Sequence, residues 1–246
     1  MLARLRALDV GRPLGQILFY RFAYWIILAF FTLFYRVRFE GVENIPRTGG
    51  LLVVANHQSH LDPPLLGVAI RHRNMAAIAR EGLYKNPVFG ALLRGLGTIP
   101  IKESEGDAGA VRTSIAQLKA GRLVVIFPEG SRSPDGGMYS FKRGSWLLLA
   151  RSGADVLPAA VEGCFDAWPR QRKGPHLFGH RCAVAFGKPI PFSELKEMGA
   201  DAALDRLARE VDALRLGLRE KLRKASRGRV PAAGAGDRGF VPREMP

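Results

Sequence analysis

The chain has 246 residues, 47% of them hydrophobic, and its 37 Lys and Arg against 22 Asp and Glu give a formal net charge of +15. These numbers fit one globular domain with a buried core and exclude a largely disordered chain. So positive a charge predicts an anionic partner: nucleic acid, an acidic membrane surface or a phosphorylated substrate. Cys164 and Cys182 lie in no CxxC or histidine-rich cluster, which argues against a disulfide framework or a zinc site and favours a reducing cytoplasmic compartment.

The first distinctive segment runs from Leu14 to Tyr35, is dense in aromatic side chains and carries Arg21 as its only charge. Aromatic residues with arginines at both ends are typical of a membrane interface. The uncharged part, residues 22–35, is shorter than the roughly 20 residues of a spanning helix. We therefore predict that residues 1–38 form a monotopic or re-entrant membrane anchor. A single span is the second interpretation, and a buried core helix is the third.

Downstream of this segment, apolar strand-like runs alternate with helical segments. The strand candidates are residues 50–55, 75–79, 97–101, 123–127, 156–161 and 181–186. Helices are predicted from Asp62, as N-cap before Pro63, from residues 86–87, from Asp107 and over residues 145–150. This alternation predicts a single α/β domain over residues 39–200, with a mainly parallel or mixed sheet flanked by helices.

The C-terminal part of the chain has a different character. Residues 201–227 place leucines and a valine on one helical face with Arg and Lys around the rest, which predicts a basic amphipathic helix. Packing against the domain and lying on lipid are both open for it. Residues 228–246 are rich in Gly, Pro, Ala and Arg without periodicity, so we predict a disordered tail there.

The first polar cluster is NHQSHLD, residues 56–62, directly after the apolar run LLVVA. His57 is suited to take up a proton near neutral pH, and the carboxylate of Asp62 can bind one of its ring nitrogens. The sequence has no GxSxG elbow, and neither cysteine lies within or next to this cluster. The hydroxyl that His57 activates would then belong to a substrate. The alternative is structural, with His57 bonded to backbone and Asp62 only capping a helix.

The second cluster is FPEGSRS, residues 127–133, which follows another apolar run. Gly130 permits a tight turn whose N–H groups can hold an anion, and Arg132 can add a bidentate grip on phosphate. Glu129 can accept a hydrogen bond from a polyol hydroxyl or orient an arginine. The alternative is a plain Pro-Gly turn with a solvated Glu–Arg pair. Lys142 and Arg143 place two further cations close behind.

Together the two clusters resemble the motifs of the glycerolipid acyltransferases, in particular the bacterial 1-acyl-sn-glycerol-3-phosphate acyltransferases. The family pattern N-H-x4-D is matched by Asn56, His57 and Asp62, its F-P-E-G-[ST]-R-S by residues 127–133, and its Pro-containing hydrophobic segment by residues 156–161. The family's second block, G-x-[IF]-[FP]-[IV]-x-R, is matched only in part. Residues 97–103 read GTIPIKE, with Lys102 one position before the expected arginine.

The resemblance implies a membrane-associated α/β enzyme that moves a fatty acyl group from acyl-CoA or acyl carrier protein to the sn-2 hydroxyl of 1-acyl-sn-glycerol 3-phosphate, giving phosphatidic acid. It implies that His57 is the base and that Asp62 orients it. The residues expected to hold the glycerol phosphate are Glu129, Gly130, Ser131, Arg132 and Lys102. The loop at Asn56 is expected to supply oxyanion stabilisation or loop support, and no metal or bound cofactor is expected.

Two alternatives remain open. The irregular second block leaves room for another lysolipid acceptor, such as a lyso-ornithine lipid. The positive charge and the amphipathic C-terminal segment would also suit a non-catalytic adaptor at a membrane surface. Nucleic-acid binding is not expected, because no aromatic-basic recognition motif occurs. We predict attachment to the inner (cytoplasmic) membrane with the catalytic domain on the cytoplasmic face.

Overall fold

The structure, a computed structural model, describes residues 14–71, 73, 75–76, 78–96, 98–101 and 106–245. The strands are β1 (Arg38–Glu40), β2 (Leu51–Ala55), β3 (Met75–Ala76), β4 (Ile78–Arg80), β5 (Ile99–Ile101), β6 (Leu123–Ile126), β7 (Asp155–Glu162) and β8 (Ala183–Phe186). The helices are α1 (Leu14–Tyr35), α2 (Asp62–Ala69), α3 (Pro87–Gly95), α4 (Gly106–Lys119), α5 (Arg143–Ser152), α6 (Cys164–Ala167), α7 (Phe192–Met198) and α8 (Ala200–Ala225).

The main sheet has the strand order β1-β8-β7-β2-β6-β3, and β4 and β5 form a separate parallel pair. Within the main sheet β7 and β8 are antiparallel, whereas the other neighbours are parallel. The predicted α/β architecture with a mixed sheet and flanking helices is therefore confirmed. Strand β2 lies in the middle, so its carboxyl end lies beside those of β6 and β7. The side of the sheet where these strands end is here called the carboxyl edge.

Strand β2 is buried on both faces because helices cover both sides of the sheet. Its even-numbered residues, Leu52 and Val54, belong to one apolar core, with α5 and α8. Its odd-numbered residues belong to the other core, with α1 and α2. This two-sided burial explains why the strand is apolar at every position instead of alternating.

Helix α1 is one unbroken helix of 22 residues with a largely exposed apolar surface. Its C-terminal part enters the core through Phe31 and Tyr35, which are buried. By contrast, Phe22 and Trp25 are each 64% exposed. A buried core helix does not have such a surface, and α1 has the length and composition of a membrane segment. At about 1.5 Å per residue it is roughly 33 Å long. Residues 1–13 of the predicted anchor lie outside the described residues.

The exposed face of α1 gives a direct test of membrane attachment. Replacing Phe22, Trp25 and Ile26 by serine removes outward-facing apolar area while leaving the residues that pack in the core unchanged. We expect the full chain to move from the detergent-requiring membrane fraction towards the salt-soluble fraction, because salt screens charges but not apolar insertion. The measurement is the distribution of protein between membrane and supernatant after a high-salt wash.

A matched control replaces Leu147, Met198 and Val241 by serine. These exposed apolar residues lie outside α1. The control variant should stay with the membrane. If both variants behave alike, the outward face of α1 is not what holds the chain in the bilayer.

Helix α8 packs against β7 and β8, which decides between the two interpretations of the C-terminal helix. Its predicted apolar face is buried, for example at Leu207 and Val211. The same face also buries Asp212, Arg215 and Arg219. The sequence predicts that the arginines of this helix face solvent, but Arg215 and Arg219 lie in the interior.

Residues 228–245, for which composition predicts a disordered tail, make defined contacts in the structure. Residues 226–245, here called the strap, lie along α8 and are held mostly by polar contacts. Arg215 Nη1 donates to Gly236 O at 2.6 Å, and Arg219 Nε pairs with Asp237 Oδ1 at 2.8 Å. The N–H of Phe240 donates to Asp212 Oδ2 at 2.6 Å. Buried guanidinium groups require acceptors, and the strap supplies them. Composition alone does not show this, because the strap has no apolar periodicity.

Candidate active site

The two polar clusters lie side by side at the carboxyl edge of the sheet. β2 and β6 are parallel neighbours with Val54 opposite Ile126, so the loops that follow them meet. Ser133 N donates to His57 O at 2.7 Å, and His57 N donates to Glu129 Oε1 at 2.7 Å. The structure thus brings the predicted motifs together at the position where open α/β sheets place their ligand sites.

His57 and Asp62 form the expected contact. His57 Nδ1 lies 2.8 Å from Asp62 Oδ2, and the Asp62 carboxylate is fully buried. The same oxygen accepts the N–H groups of Gln58 at 2.6 Å and Ser59 at 2.7 Å. Because a carboxylate oxygen only accepts hydrogen bonds, the ring nitrogen that faces it, Nδ1, carries the proton. His57 Nε2, which has no partner among the described residues, is then the proton acceptor.

The position of Asp62 differs from the predicted helix cap. Helix α2 begins at Asp62 itself, and Leu61 is the N-cap. The carboxylate turns back towards the preceding loop instead of binding the N–H groups of its own helix. Asp62 therefore shapes the loop that carries His57 and orients the imidazole with one side chain.

Phe127 provides a second restraint on His57. Its ring stacks on the imidazole with centroids 4.1 Å apart and an angle of 20° between the planes. The His57 side chain keeps 19% exposure, so the ring is held but reachable. Sequence reasoning assigned no role to Phe127, although its place at the end of a strand beside β2 was visible in the motif.

Glu129 is placed differently from the expected substrate contact. Its side chain is buried, and its two oxygens accept the N–H groups of His57 at 2.7 Å and Tyr139 at 3.0 Å. Burial raises the pKa of Glu129 to about 8, although these two N–H groups act in the opposite direction. The carboxylate thus joins three chain segments beneath the site, and its burial separates it from a substrate at the surface of the site.

One of the two cations that follow in sequence, Lys142, lies at the turn around Gly130. Gly130 has a φ of +80°, and a β-carbon there would come within 2.7 Å of Lys142 Nζ, so the ammonium of Lys142 lies over the turn. Arg143 does not join it, because its exposed side chain pairs with Asp201 at 2.7 Å. Ser131 Oγ donates to Met245 Sδ of the strap at 2.6 Å, so the strap reaches this turn.

Arg132 lies close to the histidines of the first cluster. Burial and the neighbouring charge of Arg170 lower the pKa of Arg132, whereas Asp62 raises it. Its Nη1 is buried and has no hydrogen-bond partner. Burial and the charges of Arg132 and His57 also lower the pKa of His60. An arginine donor without a partner beside an imidazole is a suitable contact for an anionic group.

Asn56 has a structural position. Its Nδ2 donates to Val161 O at 2.9 Å, and its Oδ1 accepts the Val161 N–H at 2.8 Å. The side chain is buried and thereby ties the end of β2 to β7. Of the two expected contributions of this loop, the Asn56 side chain is arranged for support.

A buried polar network behind the site was not predicted. Glu162, at the end of the otherwise apolar β7, accepts from Gln58 Nε2 at 3.2 Å, from Arg215 Nη1 at 3.4 Å and from Arg219 Nη1 at 2.7 Å. Burial raises the pKa of Glu162, and the two arginines act against this. The only sequence signal is a single carboxylate at the end of an apolar run. Through Gln58 the network connects the His57 loop with α8.

Lys102 lies outside the described residues, so the structure does not place it. Within the described residues, no group of three or more His, Cys, Asp or Glu side chains is arranged to hold a metal ion. Cys164 and Cys182 are both free and buried. The described site therefore consists of an oriented histidine, a neighbouring arginine and lysine, and a tight turn.

An oriented histidine next to cations at the carboxyl end of an α/β sheet is an arrangement that can activate a bound hydroxyl. Residues 36–162 match the family model described as Acyltransferase. The chain belongs to this family.

Known relatives agree with this assignment. The chain is 30% identical over 182 residues to a chloroplastic 1-acyl-sn-glycerol-3-phosphate acyltransferase of Arabidopsis thaliana, covering 73% of this chain and 50% of that protein. It is 25% identical over 184 residues to the 1-acyl-sn-glycerol-3-phosphate acyltransferase of Bacillus subtilis, covering 75% and 87%. The chain thus spans about half the length of the plant relative and most of the bacterial one.

The fold is also that of a solved acyltransferase. The crystal structure of the 1-acyl-sn-glycerophosphate acyltransferase PlsC from Thermotoga maritima superimposes with a TM-score of 0.67 and 28% sequence identity. The match covers 89% of this chain and 87% of that one.

Proposed function

We propose that the chain transfers a fatty acyl group from a thioester to the sn-2 hydroxyl of 1-acyl-sn-glycerol 3-phosphate, forming phosphatidic acid. The observation that carries this proposal is the His57–Asp62 pair with its outward Nε2, next to an Arg132 donor that has no partner. His57 Nε2 is suited to accept the proton of a hydroxyl, and the Arg132 guanidinium is suited to bind a phosphate. The names of the relatives from Arabidopsis and Bacillus support the same reaction.

In the proposed mechanism His57 Nε2 removes the proton of the acceptor hydroxyl as its oxygen attacks the thioester carbonyl. The new C–O bond gives a tetrahedral intermediate. The C–S bond then breaks, and the proton passes from the imidazolium to the departing thiolate. Asp62 holds the ring and stabilises the imidazolium through the 2.8 Å contact with Nδ1. The chain thereby needs no nucleophile, metal or bound cofactor of its own.

The turn at Gly130 is our proposed source of oxyanion stabilisation. In the first loop, the N–H groups of His57, Gln58 and Ser59 are already bonded to carboxylates. In the second loop, the N–H groups of Ser131 and Arg132 form no hydrogen bond within the described part of the chain. Free backbone donors at a tight turn are suited to a developing negative charge.

The acceptor phosphate is proposed to lie between Arg132 and Lys142, with Lys102 as a third cation. Either acyl-CoA or acyl carrier protein can serve as the donor in this scheme. We place the enzyme on the inner membrane with its catalytic edge facing the cytoplasm, in keeping with its reduced cysteines. A lyso-ornithine acceptor is the second candidate, since the second block departs from the family pattern at residues 102–103.

The function is tested by incubating purified full-length protein with an acyl thioester and a panel of lysolipids, and scoring diacyl products. Conversion of lysophosphatidate well above that of lysophosphatidylcholine and lyso-ornithine lipid is expected. Preference for lyso-ornithine lipid would transfer the proposal to the second candidate. No turnover of any lysolipid would favour the adaptor interpretation.

Arg132→Ala should raise KM for lysophosphatidate by roughly 10-fold or more, since a charge-assisted hydrogen bond contributes about 1.5–3 kcal/mol. KM for the thioester should change little. The measurement is initial rates with each substrate varied in turn. Arg143→Ala is the matched control, because that arginine is exposed and pairs with Asp201. A raised thioester KM with an unchanged acceptor KM would assign Arg132 to the donor instead.

A further inference from the structure

A second basic site lies at the C-terminal end of α1, apart from the Arg132 turn. It is a pocket of about 360 Å³, here called the α1 pocket. Its polar lining includes Arg36, His180, Arg181 and Arg229, and its apolar lining includes Leu33 and Phe178. The pocket therefore combines positive charge with an apolar rim.

Within the part of the chain that the structure describes, the three arginines of the α1 pocket form no ion pair. Among the described residues, no carboxylate lies within salt-bridge distance of Arg36, Arg181 or Arg229, and only Arg229 donates a side-chain hydrogen bond, to Ser226 O at 3.2 Å. Burial and the charges of Arg36, Arg38 and Arg229 lower the pKa of Arg181. The guanidinium groups thus repel one another without compensation, and an anion placed among them would relieve this repulsion.

The polar interior of the pocket is also incompletely bonded. His180 Nδ1 is buried and has no hydrogen-bond partner. Asp166 lies near enough to influence the pKa of His180, and it accepts the N–H of Ala232 at 3.2 Å. An unused donor or acceptor next to three uncompensated cations indicates a site for a polar, negatively charged group.

The chain segments that build the pocket are fixed relative to one another. Cys182 N donates to Tyr35 O at 3.1 Å, and Arg38 N donates to Cys182 O at 3.2 Å. These bonds hold the residues on either side of Arg36 against the segment of Arg181. The strap supplies Arg229, and its turn is closed by Ser226 Oγ, which accepts Val230 N–H at 3.0 Å. The arginines are therefore brought together by the fold.

The apolar rim continues the exposed surface of α1. Leu33 is 69% exposed and Phe178 is 71% exposed. The Phe178 ring lies 5.1 Å from that of Phe34 on α1. Apolar side chains directly beside the cations of a membrane helix end are the arrangement expected where lipid chains meet their head groups.

The α1 pocket and His57 open on the same edge of the sheet. β8 begins just after Arg181 and runs antiparallel to β7, with Ala183 opposite Glu162 at the carboxyl end of β7. β7 is parallel to β2, whose carboxyl end leads to His57. The pocket thus lies two strands from the site along one edge.

We propose that the α1 pocket binds the phosphate head group of an anionic bilayer phospholipid, whose acyl chains lie along Leu33 and Phe178. This lipid is a structural ligand, not the acceptor, and it holds the catalytic edge of the sheet at the membrane surface. The inference does not depend on the identity of the acceptor or the thioester.

The test measures binding of dioctanoyl phosphatidylglycerol to full-length protein in neutral detergent, by calorimetry, with dioctanoyl phosphatidylcholine as reference. All variants carry Arg132→Ala so that the turn at Gly130 contributes little. Arg36→Gln, Arg181→Gln and Arg229→Gln together should weaken phosphatidylglycerol binding about 100-fold, at roughly five-fold per cation. Arg36→Gln alone should weaken it about five-fold, which keeps the test valid if the triple variant melts early.

The matched control replaces Lys119, Arg151 and Lys188 by glutamine. These three residues are exposed and lie at the side of the sheet opposite the carboxyl edge. Their substitution removes the same amount of charge, and lipid binding should be unchanged. Equal losses in both triple variants would show unspecific charge attraction and overturn the proposal. So would full binding by the pocket variant, or displacement of the lipid by an equal concentration of inorganic phosphate.

Discussion

His57→Ala should lower the rate of acyl transfer by about 10²–10⁴-fold, the usual cost of losing a general base. The loss should appear in kcat and kcat/KM together, because proton removal occurs only in the transition state. The fold should survive, since the ring contacts Asp62 and Phe127 at the edge of the sheet and is partly exposed. The measurement is product formation at saturating lysophosphatidate, with thermal unfolding recorded alongside.

Asp62→Asn separates orientation from proton transfer. All three N–H donors, from His57, Gln58 and Ser59, bind the same oxygen, Oδ2, so the amide oxygen of Asn can still accept them, but the amide carries no negative charge to stabilise the imidazolium that forms on His57. We expect a severe loss of activity with His57 still present. His176→Ala is the control for removing a histidine, because that residue lies on an exposed loop. Wild-type turnover by His57→Ala would falsify the proposed mechanism.

Glu162→Ala should lower the free energy of unfolding by about 3–5 kcal/mol, the usual cost of removing one partner from a buried ion pair. Arg215 is fully buried and Arg219 is 8% exposed, so neither can turn to water to replace the lost carboxylate. Gln58 loses a partner at the same time. The measurement is denaturant unfolding of the detergent-solubilised chain, compared at a common detergent concentration.

Asp205→Ala is the control for this second prediction. It breaks the exposed pair with Arg209 on the outer side of the same helix, where a salt bridge contributes about 0–1 kcal/mol. Similar losses in the two variants would mean that Glu162 contributes no more than a surface charge, and the buried network would then have no special weight in stability.

The sheet and the first-cluster contact were predictable because both follow local rules. A five-residue apolar run predicts a strand buried on two faces, as β2 shows. A His and an Asp separated by four residues at a strand end predict one hydrogen bond, which is present. Such features depend on residues that are neighbours in sequence or in a parallel sheet, so periodicity and spacing reveal them.

The residues whose surroundings the sequence did not predict share a different property. Their environment is set by distant parts of the chain. Glu129 looks solvated in its own turn, but the loop of His57 comes over it. Arg215 and Arg219 look like the polar side of an amphipathic helix, yet Glu162 from β7 and the strap neutralise them. Sequence distance hides these partners, and no local pattern marks a charged residue as buried.

The strap also has a consequence for the order in which the protein is made. Ser131 and the Met245 that contacts it are 114 residues apart. At about 5–20 residues per second, the ribosome adds Met245 roughly 6–23 seconds after Ser131. Strands β2 and β6 precede this interval, β7 and α8 are added within it, and Arg215 and Arg219 lack their acceptors in the strap until Gly236 and Asp237 are made. The nascent chain therefore has a sheet before it has a finished catalytic edge, and the turn that would hold substrate stays uncovered until synthesis has passed residue 245.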